Sequence, residues 1–122
     1  MRLDITLDGG PGYEPGSDIH GEALWDLPHA ARRVSLRLFW FTQGKGQEDL
    51  EVVHRLELAT GALQARVPFR LTLPTQPYSC SGQLVSIRWA LELVADDEGE
   101  VLRKDLVIAP GGREVRIDGD PG

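Results

Sequence analysis

Residues 67–93, VPFRLTLPTQPYSCSGQLVSIRWALEL, hold two alternating arms joined by a bend. Val67, Phe69, Leu71 and Leu73 share one parity in the first arm, and Val85, Ile87, Trp89, Leu91 and Leu93 share one in the second. A period of two places each set on one face of a strand and fits no helix. Pro74 and Pro77 lack an amide donor and restrict the residues before them, so Pro74 to Gly82 is expected to leave the ladder as an exposed bend. Phe69, Ile87 and Trp89 are read as core anchors.

The same period runs outward from this pair. Leu3, Ile5 and Leu7 open a first strand, and Gly9, Gly10, Pro11, Gly12, Pro15 and Gly16 punctuate a long loop before a second strand at Ile19 to Trp25. Asp26 to Ala31 reads as a turn. Val34, Leu36, Leu38 and Trp40 then alternate against Ser35, Arg37, Phe39 and Phe41. Trp40 is therefore assigned to the core, while Phe39 and Phe41 face away. They are either covered by the N-terminal loop or left as an exposed patch for a partner or another copy. Gly44 and Gly46 break the pattern, Leu50 to Leu58 resumes it, and Thr60 and Gly61 turn into the opening pair. Asp96 to Gly99 reads as a hairpin turn ahead of Val101 to Ala109. About seven or eight strands without a helical stripe predict an all-β, antiparallel, immunoglobulin-like sandwich over residues 1–109. Residues 110–122, rich in Gly and Asp, form a tail that either adds a short edge strand or stays loose.

An apolar strand ending in Leu73-Pro74, a second proline at Pro77, the pair Tyr78-Ser79, Gly82 and a long strand with Arg88-Trp89 resemble the arrestin-like superfamily. Tyr13, Pro15, Gly16, Ile19 and Gly21 are similar to that family's early segment, a tyrosine and Pro-Gly turn leading into a strand with a glycine. The resemblance implies a β-sandwich acting as a scaffold or adaptor, as in arrestins, the retromer's arrestin-like subunit and bacterial sporulation-control proteins. Family members usually pair two such sandwiches, whereas 122 residues suffice for one, which suggests a single-sandwich bacterial-type member. The arrestin phosphate sensor needs a basic cluster, whereas this chain carries net charge −6 and has a pI near 5.0. Phosphopeptide recognition is therefore not carried over.

Composition narrows the function classes. With 41% apolar residues the chain can build one core without metal or disulfide staples. Cys80 has no partner for an intrachain disulfide, and no leader or stretch of about 18 apolar residues is found, so the expected location is the cytoplasm with no integral membrane segment. The acidic balance disfavours nucleic acid, which needs clustered Lys and Arg.

Candidate chemistry is weak at each position. Cys80 lacks a recognisable base, and His20, His29 and His54 lack the short spacing of a zinc site. Gly44-Lys45-Gly46 lies between strands rather than before a helix, so it reads as a hairpin loop and not as a phosphate cradle. Asp96, Asp97 and Glu98 lack the graded spacing of a calcium loop. No catalytic residue, metal site or cofactor is expected. The reading is a non-enzymatic interaction module for a protein partner of unknown identity, with Phe39, Phe41, Pro74, Pro77 and Tyr78 as its candidate surface. Self-assembly through sheet edges is the alternative, and an accessory domain of an enzyme is a third.

Overall fold

The computed structural model describes residues 2–10, 12–28, 33–44, 48–59, 63–82, 85–95, 100–113 and 115–116. The seven long alternating segments are strands: β1 (Arg2–Leu7), β3 (Asp18–Asp26), β4 (Val34–Gly44), β5 (Leu50–Ala59), β6 (Gln64–Thr72), β8 (Val85–Ala95) and β9 (Glu100–Ile108). Three two-residue bridges, β2 (Gly12–Tyr13), β7 (Cys80–Ser81) and β10 (Val115–Arg116), bring the described strands to ten, above the seven or eight expected. The turns expected around Ala31, Thr60 and Asp96 to Gly99, together with His29, Lys45 and Gly46, lie at least partly outside the described residues.

Two sheets form the sandwich. The small one has the order β1-β3-β6, and the large one runs β10-β7-β8-β4-β5, with β9 also on β8 and β2 on β9. All pairings between long strands are antiparallel, while β2 pairs β9 and β10 pairs β7 in parallel. The sheets are therefore mixed at one margin. The fold is otherwise the expected β-sandwich.

The inward parities meet as one buried cluster. Ile5 from β1, Ile19, Ala23 and Trp25 from β3, and Phe69 and Leu71 from β6 face Val34, Leu36 and Leu38 from β4 and Trp89, Leu91 and Leu93 from β8. Large and small residues oppose one another within the small sheet: Gly21 lies across from Phe69 and Trp25 across from Ala65. A Cβ on Gly21 would stand 2.3 Å from the Thr6 carbonyl oxygen and 2.9 Å from the Phe69 ring, so the space belongs to the aromatic.

Three assignments change. Ile87 keeps the inward parity of β8 but is half-buried and outside the core cluster, and Val85 beyond it is 38% exposed. No strand of the small sheet exceeds 9 residues, against 11 in β8. Trp40 is partly buried, packing against the core while its indole Nε1 donates to Glu51 Oε2 at 3.0 Å. The bend after Pro74 does not stay out of the ladder, because Cys80 pairs with Ile87 and both Ser79 and Cys80 are buried.

Trp89 is fully buried and its indole also holds the bend. Trp89→Ala is expected to cost about 3–5 kcal/mol in a denaturant titration, and a loss below about 1 kcal/mol would contradict its place in the core. Gly21→Ala should cost about 1–3 kcal/mol in the same measurement, since the added methyl meets backbone that cannot yield.

Candidate interaction surface

The antiparallel registers arrange the outward residues of the large sheet in transverse rows. One row reads Arg55, Arg37, Glu92, Arg103 across β5, β4, β8 and β9, and the next reads Val52, Phe39, Ala90, Asp105. A third begins Leu50, Phe41, Arg88. A bulge between Leu38 and Phe39 inserts Val53 into β5, which keeps Val52 beside Phe39.

Phe39 and Phe41 do point away from the core, yet Phe39 is only 4% exposed. Its cover is not the N-terminal loop. Arg103 of β9 reaches across the small Ala90, setting its guanidinium carbon 4.1 Å from the Phe41 ring centroid and 5.7 Å from that of Phe39. The two rings lie 5.8 Å apart at a 34° tilt. Asp105 holds Arg103 from its own strand at 3.1 Å, and Glu92 forms an ion pair with Arg37 at 3.6 Å. A cation laid on aromatic faces, flanked by exposed Leu50 and Val52, combines flat apolar area with directional charge.

The bend residues belong to a different surface. Trp89, pointing inward, donates from Nε1 to the Pro77 carbonyl at 2.8 Å, so the bend sits toward the inner side of the large sheet and Phe39 and Phe41 on its outer side. Ser79 N donates to Ile108 O at 2.7 Å, and Ile108 N donates back to Ser79 Oγ at 2.9 Å. Gly16 N donates to Pro74 O, and Leu73 N to Ser17 O, which latches the N-terminal loop onto the same segment. Pro74 and Pro77 are half-buried. Tyr78 alone of the three projects, at 42% exposure.

Beside β1 and β9 a cleft of about 270 Å³ is lined by Leu7, Gly9, Gly10, Tyr13, Lys104, Asp105 and Leu106. Burial, with the Asp8 carboxylate second, raises the Tyr13 phenol above its ordinary 10.0. Next to Tyr13, Gly12 approaches Gly112 so closely that a Cβ on Gly12 would lie 2.1 Å from the Gly112 carbonyl oxygen. Among the described residues, no three His, Cys, Asp or Glu side chains gather as a metal set. Cys80 is a buried free thiol.

Arg103 is the surface residue that the sequence reading missed. The alternation of Leu102 and Leu106 already places Arg103 outward, but nothing local says that Ala90 lies between it and the phenylalanines.

No described protein family matches the chain, and no curated protein does. Among solved structures, Spo0M, a sporulation control protein from Bacillus subtilis, superposes with a TM-score of 0.63 at 17% identity, covering 88% of this chain and 49% of that one. The fold is arrestin-like. This arrestin-like chain spans about half the length of Spo0M. Weaker likenesses are to the E23A superoxide reductase (neelaredoxin) of Ignicoccus hospitalis, at TM-score 0.47, 13% identity, 87% of this chain and 80% of that one. The DNA glycosylase AlkC of Pseudomonas fluorescens follows at TM-score 0.37, 13% identity, 88% and 29%. Neither carries a functional argument.

The raised Tyr13 pKa means that the folded state holds the phenolic proton more tightly than the unfolded chain does. That contribution is complete below pH 10.0 and is lost as pH rises through the higher folded value. Thermal melts of wild type and Tyr13→Phe should therefore diverge only above pH 10.0, with wild type losing more stability.

Proposed function

We propose that this arrestin-like sandwich is a non-catalytic protein-interaction module, a scaffold or adaptor, that docks its partner on the outer face of the large sheet. The Arg103 guanidinium resting on Phe41 beside exposed Leu50 and Val52 carries the reading. Arginine and aromatic side chains with neighbouring apolar area are the composition of an interface centre, and they bind without reacting groups. Tyr78 on the bend supplies a separate contact on the other side of the sheet.

The likeness to a sporulation control protein supports a regulatory or scaffolding role rather than a chemical one. Net charge −6 speaks against nucleic acid, and the lone buried Cys80 fits a reducing cytoplasmic setting. No helix among the described residues is long and apolar enough to cross a membrane. The reading includes no cofactor.

Quantitative affinity capture from the native host tests it, comparing wild type with Phe41→Asp and with Arg103→Glu. Both exchanges should remove the specific partner, with about a tenfold or greater loss of bound protein for each. Hydrogen exchange of the captured complex should show protection over residues 37–41, 50–55 and 101–105. Retention of the partner by both variants, with circular dichroism unchanged, would remove the outer face from consideration.

A further inference from the structure

The edges of the sandwich are not equivalent. On β6 the ladder holds Pro68 opposite Glu22, and a proline tolerated inside a paired strand turns its nitrogen away from its neighbour, so the open side offers no donor there. His54 Nε2 donates to the Thr72 carbonyl at 3.0 Å, closing one end of the same edge. On β1 the Lys104 ammonium donates to the Ile5 carbonyl at 3.2 Å and occupies that margin from β9. The far side of the large sheet is taken by β2 on β9 and β10 on β7. β5 ends the sheet with no strand, proline or cation cap on its outer side among the described residues.

Its charges are also unbalanced in a particular way. Arg55 lies directly across from Arg37, whose own anion is Glu92 on the opposite side. The row Arg55, Arg37, Glu92, Arg103 thus holds three cations and one anion, and like charges directly opposed in a ladder are unfavourable. Arg55 has no ion-pair partner among the described residues. Two positions along the same strand, Glu57 points the same way, its side chain 50% exposed and 3.8 Å from Arg33.

We propose that β5 pairs antiparallel with β5 of a second copy about a two-fold axis at Leu56, joining the two large sheets edge to edge. In that register Leu56 meets its own copy, and Arg55 and Glu57 each face the other's counterpart on the outer side. Both ion pairs form at once, because antiparallel pairing equates residues whose numbers sum to a constant. The open side of Arg55 then receives an anion, so that each of the two opposed cations, Arg55 and Arg37, has an anion on its other side. Centring on Arg55 instead would set Arg55 against its own copy, so the charges select the register as well as the edge. With the axis at Leu56, His54 meets the bulged Leu58 of the other copy, so the regular pairing covers Arg55 to Glu57, which keeps it short and the association reversible. This inference goes beyond the adaptor reading and does not depend on it.

Sedimentation equilibrium of the full chain, from micromolar to millimolar concentration and at low and high salt, tests the proposal. Wild type should pass from monomer to dimer as concentration rises and should dissociate as salt is added. Arg55→Glu and Glu57→Arg should each weaken the dimer about tenfold or more, since each opposes like charges twice across the axis. The double exchange Arg55→Glu with Glu57→Arg restores opposite signs and should return association to within about threefold of wild type. A wild-type monomer throughout, a dimer indifferent to either single reversal, or a double variant no better than the singles would each overturn the proposal. A dimer that persists in Phe41→Asp while partner capture is retained would overturn the adaptor surface alone, so the two readings fail separately.

Discussion

The Trp89 indole does two jobs that the rest of the sandwich depends on. Its ring fills the centre of the core from β8, the strand that pairs with β4, β7 and β9, and its Nε1 donates to the Pro77 carbonyl. A buried indole N–H without a partner would be costly, and a bend without an anchor would lose the backbone it must order. Each satisfies the other. Through Ser79 the bend then grips Ile108, and through Pro74 and Leu73 it holds Gly16 and Ser17, so β9 and the N-terminal loop are located by the same contact.

With the interior settled, the character of the surface follows from how each margin is finished. The small sheet turns a mixed, solvated face outward, with Arg2, Asp4, His20, Glu22, Arg66 and Arg70 on it. The large sheet instead carries Phe39, Phe41, Val52 and Leu50 beside a row of arginines, in a chain that is acidic as a whole. Part of that apolar area is already satisfied internally by Arg103, which explains why two adjacent outward phenylalanines are compatible with a folded monomer. What stays accessible is the strip toward β5. The same strand also presents the uncapped edge, so face and edge features converge on one side of the molecule.

A sandwich of this kind is compatible with very different sequences. At 17% identity with Spo0M the architecture is still shared, because period-two burial and total core volume can be met by many combinations of Val, Ile, Leu and aromatic residues. Function does not travel with that pattern. It rests on particular side chains grafted onto the strands, and those proposed for this chain are Arg103, Phe41, Arg55 and Glu57.

The amino-acid sequence by itself determined the seven long strands, the inward residues of most of them and the two-layer architecture, since alternation of apolar and polar residues is a local property that each strand states for itself; in β5 the bulge at Val53 splits the single parity of Leu50 to Leu58, turning Leu50 and Val52 outward. It also marked Phe39 and Phe41 as outward residues and Trp89 and Phe69 as inward ones. The short bridges at Gly12–Tyr13, Cys80–Ser81 and Val115–Arg116 were not legible, because two residues carry no period and are held by neighbours distant in the chain. Nor was the half-exposure of Ile87, which shares the inward parity of Trp89, Leu91 and Leu93 yet is not buried with them. Only the tertiary structure decided that Arg103 covers the phenylalanines, that Arg55 stands opposite Arg37, and that β5 is the edge left open. Those are statements about strand order and register, and they are set by the joint packing of two sheets, a long-range constraint that no single stretch of sequence contains.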